Sequence, residues 1–134
     1  MDPGERQLQP EDAVMAVLLL ARTCDGRLPP REEEAFLSKI KRSRVFRALG
    51  ERGLRDLERS VANRLNEISL PQACAAVPPD LRAPLFAHAF ELLLADGDLN
   101  EAEADFTNAL ILALDLTRTD VERIVDVITM KNRL

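Results

Sequence analysis

Residues 96–103 read DGDLNEAE, and residues 25–32 read DGRLPPRE. At an offset of 71 residues, the Asp, Gly, Leu and Glu of one stretch coincide with those of the other. Each stretch, here called a corner motif, follows a very apolar segment and opens an amphipathic one, with Phe36 or Phe106 near the same turn. This repetition predicts two duplicated helical hairpins that pack with pseudo-two-fold symmetry.

The segments around the corner motifs predict an all-α domain of about eight helices. Residues 80–95 are apolar nearly all round, which is typical of a helix buried on most sides, so we expect this helix at the centre of the fold. No segment alternates apolar and polar residues with a period of two, so we expect no sheet. Residues 1–10 are predicted to be a flexible N-terminus and residues 11–134 a single domain.

Capping signals place the later helix boundaries. Asn100 with Glu103, and Thr119 with Glu122, have the spacing of a capping box, in which each residue bonds the backbone N–H of the other. Apolar residues at a spacing of three to four, from Leu54 to Ile68, predict one continuous helix there.

The composition gives little support to catalysis. The 134 residues include one His, two Cys, no Trp and no Tyr, and no Ser/His/Asp or Cys/His arrangement is evident. We expect His88 to be a hydrogen-bonded helix histidine, and Cys24 and Cys74 to be reduced thiols packed as small apolar groups. The longest early apolar run, residues 13–21, is too short for a membrane span of roughly 20 residues. The sequence therefore predicts a non-enzymatic, cytoplasmic protein.

Charge is unevenly distributed along the chain. Residues 39–64 contain nine Lys and Arg against three acids, whereas residues 91–105 contain six acids and no base. Two interpretations stay open: solvated helix faces, or a basic and an acidic docking surface on one molecule. The candidate partner-binding residues are Lys41, Arg42, Arg44, Arg47, Arg55 and Arg59.

The corner motif itself allows a structural and a chemical interpretation. Structurally, Asp ends a helix, Gly takes the left-handed turn, Leu enters the core and Glu caps the next helix. Chemically, the motif matches the last part of an EF-hand loop, but Leu92 and Leu94 stand where its first oxygen ligands belong, which argues against an ordinary calcium loop. A weaker, partly hydrated site for calcium, zinc or magnesium stays open, with the candidate ligands Asp25, Glu32, Asp96, Asp98 and Glu103.

The duplicated corner, with ELLLADGDLNEAE as its second copy, resembles the tellurite-resistance TerB family and TerB-like domains. The likeness spans roughly residues 11–130. It implies an all-helical domain with an internal repeat, whose corner carboxylates, here Asp25, Glu32, Asp96 and Glu103, are candidate metal ligands. It also implies a cytoplasmic, stress-linked module without established catalysis that is associated with membrane-bound or metal-resistance components. Pro29 and Pro30 depart from the usual hydroxyl or Asn cap, which weakens the first corner as an oxygen donor.

Two functions of different class follow from these observations. The first is a protein-interaction module that docks protein partners, among them membrane-associated resistance or stress components, without inserting into the membrane itself. The second is a nucleic-acid-associated protein that uses the basic 39–64 segment on phosphates, with a steep salt dependence. The acidic second half and the lack of Trp and Tyr for base stacking argue against the second.

Overall fold

The computed structural model describes residues 8–24, 33–94 and 97–134. Within these ranges the chain forms eight α-helices and one short 3-10 turn, and no strand, which confirms the predicted all-α class. The helices are α1 (Pro10–Thr23), α2 (Glu33–Ile40), α3 (Arg44–Arg47), α4 (Gly50–Asn63), α5 (Leu70–Ala75), α6 (Pro79–Leu93), α7 (Glu101–Ala113) and α8 (Arg118–Lys131).

Helix α1 lies at the centre of the fold. Eight of its 14 residues are buried, and it packs against α3, α4, α5 and α6. The prediction that the helix of residues 80–95 is central was wrong, because α6 leaves Pro84 and His88 exposed. Five of the 15 residues of α6 are Ala or Pro, and such small side chains bury little apolar area, so they lose little by lying at a surface.

The two apolar helices that precede the corner motifs, α1 and α6, pack against each other. On its other sides α6 carries α7 and α8, and α7 also contacts α5. The contact between α6 and α7 agrees with the second predicted hairpin, whereas the duplication of the hairpins and their pseudo-two-fold relation stay predictions. Four parts of the chain lie outside the described residues: residues 1–7 of the predicted flexible N-terminus, the first corner motif (residues 25–32), Ala95, and Asp96 of the second corner motif.

Two predicted helix boundaries were wrong, and in each case other local hydrogen bonds set the observed boundary. The continuous helix to Ile68 instead ends at Asn63, and residues Leu65–Glu67 form a 3-10 turn before Ser69 caps α5. The cap of α8 is Thr117, whose Oγ1 accepts the backbone N–H of Asp120 at 3.1 Å, and Thr119 already lies within the helix. The predicted Asn100 and Glu103 cap is confirmed.

Burial of apolar side chains turns the charged faces of α2, α3 and α4 outwards. Helix α2 buries Phe36, Leu37 and Ile40, while α3 is anchored by Phe46, which is 1% exposed. The guanidinium of Arg22 lies 5.1 Å from the centre of the Phe36 ring and joins the end of α1 to α2 by a cation–π contact. The basic residues between these buried anchors are therefore held on a defined surface.

Candidate functional site

The six predicted partner-binding cations all lie at the surface. They are found on α3, α4 and the turn before α3, and each is classed as exposed: Lys41, Arg42, Arg44, Arg47, Arg55 and Arg59. We call this set the basic surface. Arg64, at the end of the same stretch, is only partly exposed, and its Nε is buried without a hydrogen-bond partner, so it does not extend the surface.

Two members of the basic surface form ion pairs across the boundary between α2 and α4. One pair joins the turn after α2 to α4, and the other joins α4 to α2 itself. Lys41 Nζ lies 3.9 Å from Glu51 Oε1, and Arg55 lies 3.5 Å from Glu34 Oε1. Both pairs border a cleft of about 190 Å³ between the two helices. Because all four side chains are well exposed, each pair contributes only about 0.2–1 kcal/mol and can exchange for a charged partner.

The other four members, Arg42, Arg44, Arg47 and Arg59, form no ion pair with the described residues. A planar guanidinium binds carboxylates and phosphates in a bidentate manner, which a lysine ammonium does not. Leu49, 38% exposed, lies among these arginines after Arg47. A group of arginines beside an exposed apolar residue is suited to bind an anionic surface.

The connection between α3 and α4 sets the positions of these arginines. Ser43 precedes α3 in an extended conformation, and Phe46 fixes that single turn of helix to the core. Gly50 has a φ of 71°, where a Cβ would be strained, so glycine is required for the chain to turn directly into α4. The arginines of both helices therefore lie on either side of a tight turn whose first helix is anchored by Phe46.

At the acidic corner, only two of the five predicted metal ligands lie among the described residues. Asp98 is exposed and follows Gly97, whose φ of 112° fits the predicted left-handed turn. Glu103 is half-buried in the first turn of α7. Asp25, Glu32 and Asp96 lie outside the described residues.

Glu103 has a structural role at this corner. Its Oε1 accepts the backbone N–H of Asn100 at 3.0 Å, and its own backbone N–H donates to Asn100 Oδ1 at 2.8 Å. Among the residues that the structure describes, no group of three or more His, Cys, Asp or Glu side chains is placed to hold a metal ion. The corner is accounted for as a helix cap at Glu103, and the divalent site stays a prediction.

A groove that the sequence did not predict lies between the C-terminal ends of α2, α6 and α8. It has a volume of about 880 Å³ and is bordered by Lys39, His88, Glu91, Asp98 and Arg133, among others. Lys131 Nζ forms an ion pair with Glu91 at its edge. His88 is exposed on α6, and the structure gives it no hydrogen bond within the described part, contrary to the prediction of a hydrogen-bonded helix histidine. The spacing of His88 and Glu91 predicts that they share one face of a helix. The packing of α8 beside that face depends on tertiary structure, which the sequence pattern does not reveal.

The two cysteines differ in their surroundings. Cys74 is fully buried, and this burial raises the pKa of its thiol from 9.0 to about 11, against a smaller opposing effect of Arg82. Cys24 is partly exposed at the end of α1. The prediction of a packed apolar thiol therefore fits Cys74, whose raised pKa makes it a poor nucleophile.

Comparison with known protein families agrees with this helical architecture. The family model described as Tellurite resistance protein TerB matches residues 11–126, from the second residue of α1 into α8. No curated protein and no solved structure matched the chain. The chain is an all-helical domain of the TerB class, and it belongs to the TerB tellurite-resistance protein family.

Membership of this family makes the chain a tellurite-resistance-associated module. No helix in the described ranges combines the length and apolar character required to cross a lipid bilayer.

Proposed function

We propose that this TerB domain is a non-catalytic protein-interaction module of the cytoplasmic stress response, and that it docks an acidic partner through the basic surface. The observation that carries the proposal is the presence of Arg42, Arg44 and Arg47, all exposed and without an ion pair in the described part of the chain, on and beside a helix anchored by Phe46. Membrane-associated resistance or stress proteins are the partners that the family suggests.

The arrangement supports docking better than it supports catalysis. Cys74 is a poor candidate for a catalytic nucleophile, because its burial raises the pKa of its thiol rather than lowering it. The groove between α2, α6 and α8 combines cations and carboxylates, of which Glu91 is already paired. Docking through exposed arginines, by contrast, requires only a partner surface with complementary negative charge.

A divalent ion at the corner motifs would be a regulatory addition to this function. Its candidate ligands are Asp25, Glu32, Asp96, Asp98 and Glu103, and the ions are calcium, zinc or magnesium. The capping bond of Glu103 uses one of its carboxylate oxygens, so an ion there would compete with the cap or share the other oxygen.

The competing function is binding of nucleic acid by the same arginines. Both functions require positive charge, but they differ in salt dependence, because phosphate binding releases counterions in proportion to the number of contacts. The absence of Trp and Tyr from the sequence removes the residues that stack best on bases. Docking to protein is therefore the proposal that the chain supports better.

Quantitative capture from a native lysate tests the proposal. Three tagged baits are compared: the wild type, the triple variant Arg42→Gln, Arg44→Gln, Arg47→Gln, and a control with Arg118→Gln and Arg123→Gln on α8. We expect the wild type and the control to capture the same protein. The captured amount should fall at least tenfold with the triple variant, with or without nuclease. Equal capture by all three baits contradicts the proposal, and loss of capture upon nuclease treatment supports the nucleic-acid alternative.

A further inference from the structure

The exposed faces of α4 and α7 carry opposite charge in matching order. On α7 the exposed stripe is Glu101, Asp105, Asn108 and Leu112, at steps of four, three and four residues. Taken backwards, the exposed residues Arg59, Arg55 and Arg52 of α4 and Leu49 just before it follow one another at steps of four, three and three, and Glu51 and Asp56 are also exposed on this helix. Residues at these steps lie along one face of a helix.

The two stripes are complementary when the helices run antiparallel. In one register, four pairs of residues face each other: Glu101 with Arg59, Asp105 with Arg55, Asn108 with Arg52, and Leu112 with Leu49. Both stripes are about 15 Å long at a rise of about 1.5 Å per residue. The match therefore extends over the whole of both stripes.

Apolar exposure supports the same pairing. Leu112 is 80% exposed although its neighbours Leu110 and Leu114 are buried, and Leu49 is 38% exposed. In the antiparallel register these two leucines meet at one end of the row of charges. A contact there would bury apolar surface that is exposed to water in the isolated molecule, which favours association.

The two stripes belong to helices that pack on different neighbours within one molecule. Helix α4 packs on α1 and α3, whereas α7 packs on α5 and α6. Within the described part of the chain, the ion pairs of α4 connect it to Glu34 and Lys41, and Glu101 and Asp105 form none. A molecule built in this way presents one stripe to each of two neighbours.

We propose that this chain associates with itself head to tail, with the acidic α7 stripe of one copy docking antiparallel on the basic α4 stripe of the next. The proposal rests on the proposed function in that it names a second copy of the chain as one partner of the basic surface. Exposed charge pairs are individually weak, so the association is expected to be reversible and sensitive to salt. Because the contact joins two different surfaces, it forms open chains or closed rings.

Analytical ultracentrifugation with charge-reversed variants tests this inference. The first variant is Arg55→Glu with Arg59→Glu, the second is Glu101→Lys with Asp105→Lys, and a control is Arg118→Glu with Arg123→Glu on α8, which changes the net charge as the first variant does. Circular dichroism checks that each variant is folded. Samples are compared at about 20 mM and about 300 mM salt, since higher salt screens pairs of exposed charges.

We expect the wild type and the control to exceed the mass of one 15.0 kDa chain at low salt and to dissociate at high salt. Each charge-reversed variant alone should stay monomeric, and an equimolar mixture of the two should associate again. A monomeric wild type at millimolar concentration in low salt, association of either variant alone, or a monomeric mixture overturns the inference. The triple variant at Arg42, Arg44 and Arg47 keeps both stripes. If that variant loses its lysate partner while the wild type is monomeric, self-association is wrong and the proposed function is still supported.

Discussion

Asn100 and Glu103 cap each other at the start of α7, with Asn100 Oδ1 accepting from the Glu103 N–H at 2.8 Å and Glu103 Oε1 accepting from the Asn100 N–H at 3.0 Å. The last residues of the second corner motif thus form the cap and first turn of α7. This second copy of the motif therefore has an immediate structural role, because it satisfies backbone groups that the first turn of a helix leaves unpaired.

Loss of this cap should destabilise the domain. We expect Asn100→Ala or Glu103→Ala to lower the free energy of unfolding by about 1 kcal/mol, the usual effect of removing a capping side chain. Urea denaturation measures this change. Asp98→Ala, which alters an exposed carboxylate outside the cap, is the matched control and should leave the stability within about 0.5 kcal/mol of wild type. An equal loss in all three variants would contradict the capping role.

The cap of α8 offers a sharper comparison between two threonines. Thr117→Ala removes the acceptor of the Asp120 N–H and should cost about 1 kcal/mol, whereas Thr119→Ala changes an exposed residue within the helix and should cost less than about 0.5 kcal/mol. Thermal denaturation of both variants decides between them. The reverse order would support the boundary suggested by the sequence.

Cys74 should react slowly with thiol reagents. Its fully buried thiol has a pKa raised to about 11, so at pH 8 it reacts only after local opening, whereas Cys24 is partly exposed. Iodoacetamide labelling followed by peptide mass spectrometry should modify Cys24 at least tenfold faster. Comparable rates would contradict a packed, inert Cys74.

The same thiol predicts a loss of stability at high pH. The unfolded chain ionises Cys74 near pH 9 and the folded chain only near pH 11, so folding retains the proton and the associated stability is present below pH 9. Stability should fall as pH rises from about 9 to about 11, by an amount on the order of 1–2 kcal/mol. Cys74→Ser removes this titration. If its unfolding free energy follows the wild-type pH dependence across that range, the assignment is wrong.

The metal prediction can be tested apart from docking. Titration of calcium, zinc or magnesium into labelled protein should shift backbone NMR signals of residues 96–103 and leave those of residues 55–64 unchanged. No shift at millimolar metal would remove the divalent ion from the account. Because Glu103 also caps α7, the Asn100→Ala variant shows whether the cap and the ion compete for its carboxylate.

The sequence predicted the helices and one cap well, because these depend on neighbouring residues. Asn100 and Glu103 are three positions apart, and local spacing was sufficient to pair them. The central position of α1 depends on which helices surround it, and residues 13–21 and 80–95 are both apolar in sequence. Thr117 and Asp120 are three positions apart, as are Thr119 and Glu122, so local spacing alone could not choose between the two caps of α8.

The site was predicted in part for the same reason. All six residues of the basic surface are exposed, as a helix face rich in Arg predicts, but the ion pairs of Lys41 with Glu51 and Arg55 with Glu34 depend on how α2 packs beside α4. The groove near His88 needs the end of α8, more than 40 residues further along the chain. Contacts between residues so far apart along the chain produce no periodic pattern in a single sequence.

The central claim is that the basic surface is where a partner docks, and photo-crosslinking in living cells tests it most directly. A photoreactive amino acid at Ala48, which is exposed beside Arg47, keeps every arginine in place, and the same group at exposed Thr119 on α8 is the control. We predict a protein adduct from position 48 at least tenfold more abundant than from position 119, and its loss when Arg42, Arg44 and Arg47 are changed to Gln. Equal adducts at both positions, or nucleic acid as the crosslinked species, would contradict the account.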